Sequence, residues 1–232
     1  MRTIGLIGGM SWQSTAEYYR LLNTFVQERL GGLHSARCVL HSVDFADIEQ
    51  LQVEARWTEA GALLAEAAVS VQAAGADFLL LCTNTMHKVA DQVAAAVDIP
   101  LLHLGDATAE AVRTAGLTRV GLLGTAFTME QDFYRDRLAA AGLDVLVPDP
   151  DGRAEVHRII YDELCLGIVK SESREIYRKV IADLAARGAE GVILGCTEIE
   201  LLIKPEDVPL PVFPTTRIHA EAAVAMALTG GR

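Results

Sequence analysis

Residues 75–83 read GADFLLLCT and residues 188–196 read GAEGVILGC, and the two align without a gap at an offset of 113. Each opens on a glycine after a helical pattern, runs through large apolar residues and ends on a polar loop. Near-continuous Leu, Ile and Val is what a parallel strand covered on both faces requires. A second echo sets TRVGLLGT at 118–125 against RTIGLIGG at 2–9. Two echoes in the same order predict an internal duplication. Under it Thr83 pairs with Cys196, and Cys82 with Gly195. A slip of one residue would bring Cys82 to Cys196, but it breaks the GAD/GAE match and turns opposite strand faces to the same side.

Working outward, candidate strands are Thr3–Gly8, Arg37–Val43, Asp77–Thr83, Arg119–Gly124, Asp144–Val147, Glu190–Cys196 and a short one near Val212. Amphipathic stretches lie between them at 14–30, 59–74, 86–97, 129–141 and 173–187, several stopped by glycine (Gly75, Gly116, Gly142, Gly188). Repeated strand-helix-strand units give an α/β protein. The expectation is two similar domains, each a parallel four-stranded sheet flanked by helices, related by a pseudo-twofold with a cleft between them. The domains expected are residues 1–99 with 213–232, closed by the C-terminal helix, and residues 100–212.

The chain has 232 residues, 51% hydrophobic and 22% charged, which supports a real core and excludes wholesale disorder. Its formal net charge of −11 argues against a nucleic-acid partner, because such a surface repels phosphate backbones. No apolar run is long enough to span a membrane. The start, MRTIGLIGGM, reads as a strand entering a loop and not as a secretory signal. Four cysteines without CxxC spacing (Cys38, Cys82, Cys165, Cys196) exclude a disulfide scaffold and a paired-cysteine metal site. Reduced thiols and a cytoplasmic location are expected.

Ligands of open parallel sheets bind at the carboxyl ends of strands. Here those loops are Gly8–Ser11, Asp44–Gln52, Thr83–Thr85, Gly124–Thr128 and Cys196–Glu198. The run GLIGGM lacks the third glycine of a dinucleotide turn, and there is no phosphate-loop lysine. The glycines are then a tight turn into a helix, with Met10 turned toward the cleft. Cys196 ends a strand just where a helix should begin, a position that favours thiolate through the helix dipole. Cys38 and Cys82 read as small core hydrophobes, while Cys165 stays open. Asn84, Thr85, Thr125 and Thr197 are either donors to an anion or simple helix caps. His87 and His219 either orient the site or serve the fold, and no metal-ligand spacing occurs.

IGLIGGM near the start, TNTMH at 83–87 and GCTEI at 195–199 together resemble the aspartate/glutamate racemase family, as do TMEQDFYR at 128–135 and IHAE at 218–221. The likeness covers essentially the whole chain. It implies a cofactor-independent enzyme, with neither pyridoxal phosphate nor metal, in which two cysteines flank the substrate α-carbon. One takes the proton as thiolate and the other returns a proton to the opposite face. Here Thr83 stands at the first cysteine position, which implies an L-preferring subgroup with Cys196 as base and Thr83 as proton donor. Asn84, Thr85, Thr125 and Thr197 would hold the α-carboxylate, where charge develops. The basic residues expected for a distal carboxylate fall near Glu49 and Cys165, so that clamp is altered, with Gln52 as a substitute donor and Arg56 as a weaker one. Partners implied are a small amino-acid substrate and a second copy in a homodimer, with no nucleic acid and no membrane. Alternatives are a broad-specificity amino-acid racemase, an enzyme like arylmalonate decarboxylase or maleate isomerase, and a non-catalytic amino-acid-binding module.

Overall fold

The first apolar run forms strand β1 (Ile4–Gly8), buried along its whole length. In a computed structural model describing residues 1–229, it pairs in parallel with β2 (Cys38–Ser42) and β3 (Phe78–Leu81), giving the order β2-β1-β3. A fourth position is present only as a single bridge, Leu79 to Leu101. The Leu79 N–H donates to the Pro100 carbonyl and Leu102 N–H donates to the Leu79 carbonyl. Pro100 has no N–H to extend that ladder, and helix begins again at Leu104.

Around this sheet lie α1 (Trp12–Leu30), α2 (Phe45–Val53), α3 (Trp57–Ala73), a 3₁₀ turn (Thr85–Val89) and α4 (Ala90–Ala95). Ser11 caps α1 by accepting from the Ser14 N–H. The expected loop 44–52 is instead α2. Asp44 caps it, accepting from the Ala46 N–H, and Ile48 and Gln52, one turn apart, are its buried residues. The expected helix 86–97 is likewise divided into the 3₁₀ turn and α4.

The second sheet has the order β5-β4-β6-β7, again all parallel: β4 (Arg119–Gly124), β5 (Asp144–Leu146), β6 (Gly191–Gly195) and β7 (Val212–Pro214). Its helices are α5 (Leu104–Thr114), α6 (Ala126–Glu130), α7 (Asp132–Ala140), α8 (Pro150–Asp162), α9 (Ser171–Ala186) and the single turn α10 (Ile199–Leu202). The expected helix 129–141 is interrupted at Gln131, whose backbone is extended. The chain closes with α11 (Thr215–Leu228).

The chain divides into one unit of Met1–Leu104 with His219–Arg232 and another of Gly105–Ile218. Of the C-terminal segment expected in the first domain, residues 230–232 lie outside the described residues. In the first unit, α1 and the end of α11 pack on one sheet face with Ile4, Leu6, Phe78 and Leu80, and α2, α3 and α4 pack on the other with Ile7, Leu79 and Leu81. In the second, Leu123, Val192 and Leu194 pack with Val156, Tyr177, Ile181 and Leu184 of α8 and α9. Each such fully buried aliphatic side chain contributes about 1.5–3 kcal/mol. Among the described residues no helix is long and apolar enough to cross a membrane.

Strand register shows the duplication at the backbone. Moving each strand by its sequence echo carries the pair Ile4↔Phe78 onto Val120↔Gly191, and Ile7↔Leu81 onto Leu123↔Leu194. On the same register Cys82 corresponds to Gly195 and Thr83 to Cys196, so these last two occupy equivalent strand-end positions in their own units.

Candidate active site

In the first unit the turn after β1 depends on Gly9. Its φ is +97° and a Cβ there would collide with the Val43 carbonyl oxygen. The Gly9 N–H donates to Thr15 Oγ1 at 2.8 Å, and that hydroxyl donates on to the Ser11 carbonyl. Met10 is buried in the apolar cluster with Ile7, Ile48 and Met86. Cys82 lies in the opposite cluster with Leu80 and Tyr18, and burial alone drives its thiol far above the ordinary range.

Thr83, Asn84 and Thr85 follow β3, each with less than a tenth of its surface exposed. His87 follows on the 3₁₀ turn and is buried. The Leu104 N–H donates to its Nε2 at 3.2 Å, so its proton is on Nδ1, which donates to the Thr83 carbonyl at 2.8 Å. His219 is fixed by the same logic. Its Nε2 faces the Leu102 carbonyl at 2.8 Å and must donate, so its Nδ1 accepts from the Tyr18 hydroxyl at 2.8 Å. Burial pushes the His219 pKa down to about 4, keeping the ring neutral. Gln52, expected at a distal carboxylate, is buried on α2, and its amide donates to Met86 Sδ at 3.0 Å.

In the second unit Cys196 follows β6. Gly195 permits the close approach of β6 to β4, since a Cβ there would lie 2.8 Å from the Leu123 carbonyl oxygen. Cys196 is buried, and its Sγ donates to Glu198 Oε2 at 3.0 Å, with Glu198 itself only 6% exposed. The expectation of a thiolate favoured by a helix dipole does not hold for this arrangement. The helix that follows, α10, is one turn of four residues, too short to build a useful dipole. Burial, then the Glu198 charge and then Cys165 push the thiol well above its ordinary range. The sulfur therefore keeps its proton and shares it in the hydrogen bond to the Glu198 carboxylate.

Thr197 Oγ1 accepts from the Thr216 hydroxyl at 2.9 Å, and Thr215 donates to the Leu194 carbonyl at 2.9 Å, so the start of α11 is held to the end of β6. Thr125 caps α6: its Oγ1 accepts from the Thr128 N–H at 3.3 Å. Cys165 lies half-buried on a 3₁₀ turn (Leu164–Leu166), its pKa pushed up to about 12 by burial and by the charge of Glu198. Just before it, buried Glu163 accepts from the Ser173 hydroxyl at 2.6 Å and pairs with Arg158 and Lys170 at 3.2 and 3.4 Å. Those partners, Ser173 first, hold the Glu163 carboxyl below the usual carboxylate range.

The second unit thus gathers Cys196, Glu198, Cys165 and Thr197; the first gathers Thr83, Asn84, Thr85 and His87. Glu198, Glu163 and the two-sided bonding of His87 are additions to the residues expected from sequence. Among the described residues no group of three or more His, Cys, Asp or Glu is placed to hold a metal ion.

The family model described as Asp/Glu/Hydantoin racemase matches residues 7–223. The chain belongs to the Asp/Glu/hydantoin racemase family. Membership supports an isomerase of the amino-acid racemase kind. Crystal structures agree. An Asp/Glu racemase candidate from Yersinia pestis is 55% identical, with a TM-score of 0.93 over 98% of this chain and 100% of that one. An aspartate racemase homologue from Pyrococcus horikoshii is 36% identical, with a TM-score of 0.86 over 98% of this chain and 99% of that one. The broad specificity amino-acid racemase RacX of Bacillus subtilis is 19% identical over 229 residues, 96% of each chain.

Proposed function

We propose that this family member interconverts L- and D-aspartate or glutamate without a cofactor, and that it exchanges α-hydrogen faster from the L-enantiomer. The observation that carries the reading is the buried Cys196 thiol donating to the Glu198 carboxylate at 3.0 Å. Glu198 takes the Sγ proton, and the thiolate so formed pulls hydrogen from the α-carbon of an L-amino acid. The electron pair passes into the α-carboxylate, where N–H and O–H donors of Asn84, Thr85 and Thr197 stabilise it most as charge develops. Thr83 delivers its Oγ proton to the opposite face of the carbon while water restores the hydroxyl; Cys196 retains the hydrogen it took, and Glu198 releases its proton to the hydroxide left by that water. Run backward, Thr83 must act as the base, and a hydroxyl is much weaker there than a thiol. Because the two enantiomers are equal in energy, inversion has one kcat/KM in both directions, and the asymmetry shows as faster α-hydrogen exchange from the L- than from the D-enantiomer.

A broader amino-acid range is the second reading. Two of the side chains expected around a distal carboxylate are neutral here: the Gln52 amide is hydrogen-bonded to Met86 Sδ, and burial keeps Cys165 a thiol. The Bacillus subtilis relative is described as of broad specificity. Chiral chromatography of products from a panel of L- and D-amino acids separates the readings. D-Glutamate or D-aspartate forming fastest from its L-partner supports the first; comparable rates with neutral amino acids support the second. Thr83→Cys should raise α-hydrogen exchange from the D-enantiomer by at least tenfold, since a thiol replaces a hydroxyl as base. An unchanged D-rate removes Thr83 from the reaction.

A further inference from the structure

His87 joins two backbone points that are distant in sequence. Its Nδ1–H holds the carbonyl of Thr83, and its Nε2 holds the N–H of Leu104. Leu104 is the last residue of the first unit before the chain passes into the second, and the return passage lies between Ile218 and His219. His219 secures the same strip of chain through the Leu102 carbonyl and the Tyr18 hydroxyl. The His87 ring meets His103 edge-on with centroids 4.5 Å apart and His219 with centroids 6.0 Å apart. The imidazole of His87 is 3% exposed and that of His219 fully buried, so neither bond competes with bulk water. A buried ring with a defined acceptor on one nitrogen and a defined donor on the other has one tautomer and one orientation.

We infer that His87 is the positioning residue for Thr83: its Nδ1–H sets where the Thr83 backbone lies, and through it where the hydroxyl meets the α-carbon, while Leu104 fixes the ring. The inference rests on the proposed racemisation, in which Thr83 completes inversion and Cys196 begins it. It has a consequence that a purely structural histidine would not have. A displaced Thr83 leaves Cys196 able to remove and return hydrogen on the L-face, so label enters L-substrate without inversion. Loss of folded protein lowers both outcomes together and leaves their ratio unchanged.

The test starts from L-glutamate or L-aspartate in heavy water and compares α-deuterated L-amino acid with D-product, by proton NMR and chiral chromatography. Four proteins are compared: wild type, Thr83→Ala, His87→Asn and His87→Gln. An asparagine amide reaches the position of Nδ1 and keeps the donor to Thr83. A glutamine amide reaches the position of Nε2, keeping Leu104 but losing Thr83. The ratio of deuterated L to D should rise about tenfold or more in H87Q, since displacements of order 1 Å cost up to about a hundredfold in rate. It should stay within about twofold of wild type in H87N and rise furthest in Thr83→Ala. Equal ratios in wild type, H87N and H87Q, with Thr83→Ala still elevated, overturn the role of His87 and leave the reaction standing. A ratio unmoved by Thr83→Ala, or no exchange in wild type, overturns the reaction itself.

Discussion

Replacing Glu198 by glutamine gives opposite outcomes depending on what the carboxylate does for Cys196. Its Oε2 lies 3.0 Å from Sγ, with both groups buried. As a bare neighbouring charge it opposes ionisation of the sulfur. With the charge centre about 4 Å away and an effective dielectric near 20, the repulsion is about 4 kcal/mol. That field is one cause of the raised thiol, and an energy of that size is worth about a thousandfold in the ionised fraction. If this field were the whole effect, Glu198→Gln would release the thiol and speed catalysis by up to about a thousandfold near neutral pH. If instead Glu198 receives the Sγ proton, the amide cannot do so, and α-hydrogen exchange should fall by about a hundred- to ten-thousandfold. The account predicts the fall, with the thiol titrating closer to its ordinary value as followed by ultraviolet absorbance of thiolate. Burial, the largest cause of the shift, keeps it raised. Exchange from L-glutamate at or above the wild-type rate in the glutamine variant would exclude Glu198 as the acceptor of the Sγ proton.

Two further expectations concern stability. Glu163→Gln removes the charge that Ser173, Arg158 and Lys170 converge on and should cost about 1–3 kcal/mol near pH 7, read by urea unfolding. Because the folded carboxyl titrates below the unfolded value, its contribution is present above that value and is lost as pH falls below about 4.3; the variant should show a shallower loss there. Burial pushes the folded His219 ring down to about 4 from its ordinary 6.5. The unfolded chain therefore binds its proton first, and stability should fall by about 3 kcal/mol as pH drops from 6.5 to 4. His219→Gln should flatten that part of the profile; an equal slope in both proteins would contradict the assignment of a neutral ring.

The sheets were the most legible part of the sequence, for a plain reason. Parallel strands buried on both faces must be apolar throughout, so Arg119–Gly124 is a strand with the expected limits, and the other runs shorten by a residue or two at their ends. Helix α2 was hidden because FADIEQLQV mixes polar and apolar residues and one of its buried members is Gln52; the usable signal was Asp44 as cap with Ile48 one turn along. The fourth strand of the first sheet shrank to a bridge at Leu101 because Pro100 withholds a donor. In the site, the echo paired Thr83 with Cys196, and the roles expected of them came from the family resemblance. The Glu198 contact did not, because two residues of separation at a strand-to-helix turn brings side chains together only for particular backbone angles. Pro205 disfavours helical backbone at Lys204 and α10 ends at Leu202, so the expected dipole had no length from which to arise.

In the proposed reaction the sulfur of Cys196 takes hydrogen from the α-carbon of L-amino acids. Proton NMR in heavy water, following the α-hydrogen signals of L-glutamate and L-aspartate, tests it directly on wild type and Cys196→Ser at equal folded concentration. Steady loss of the signal is expected with wild type, and a loss at least a thousandfold slower with the serine variant. Comparable exchange in the two proteins would contradict it.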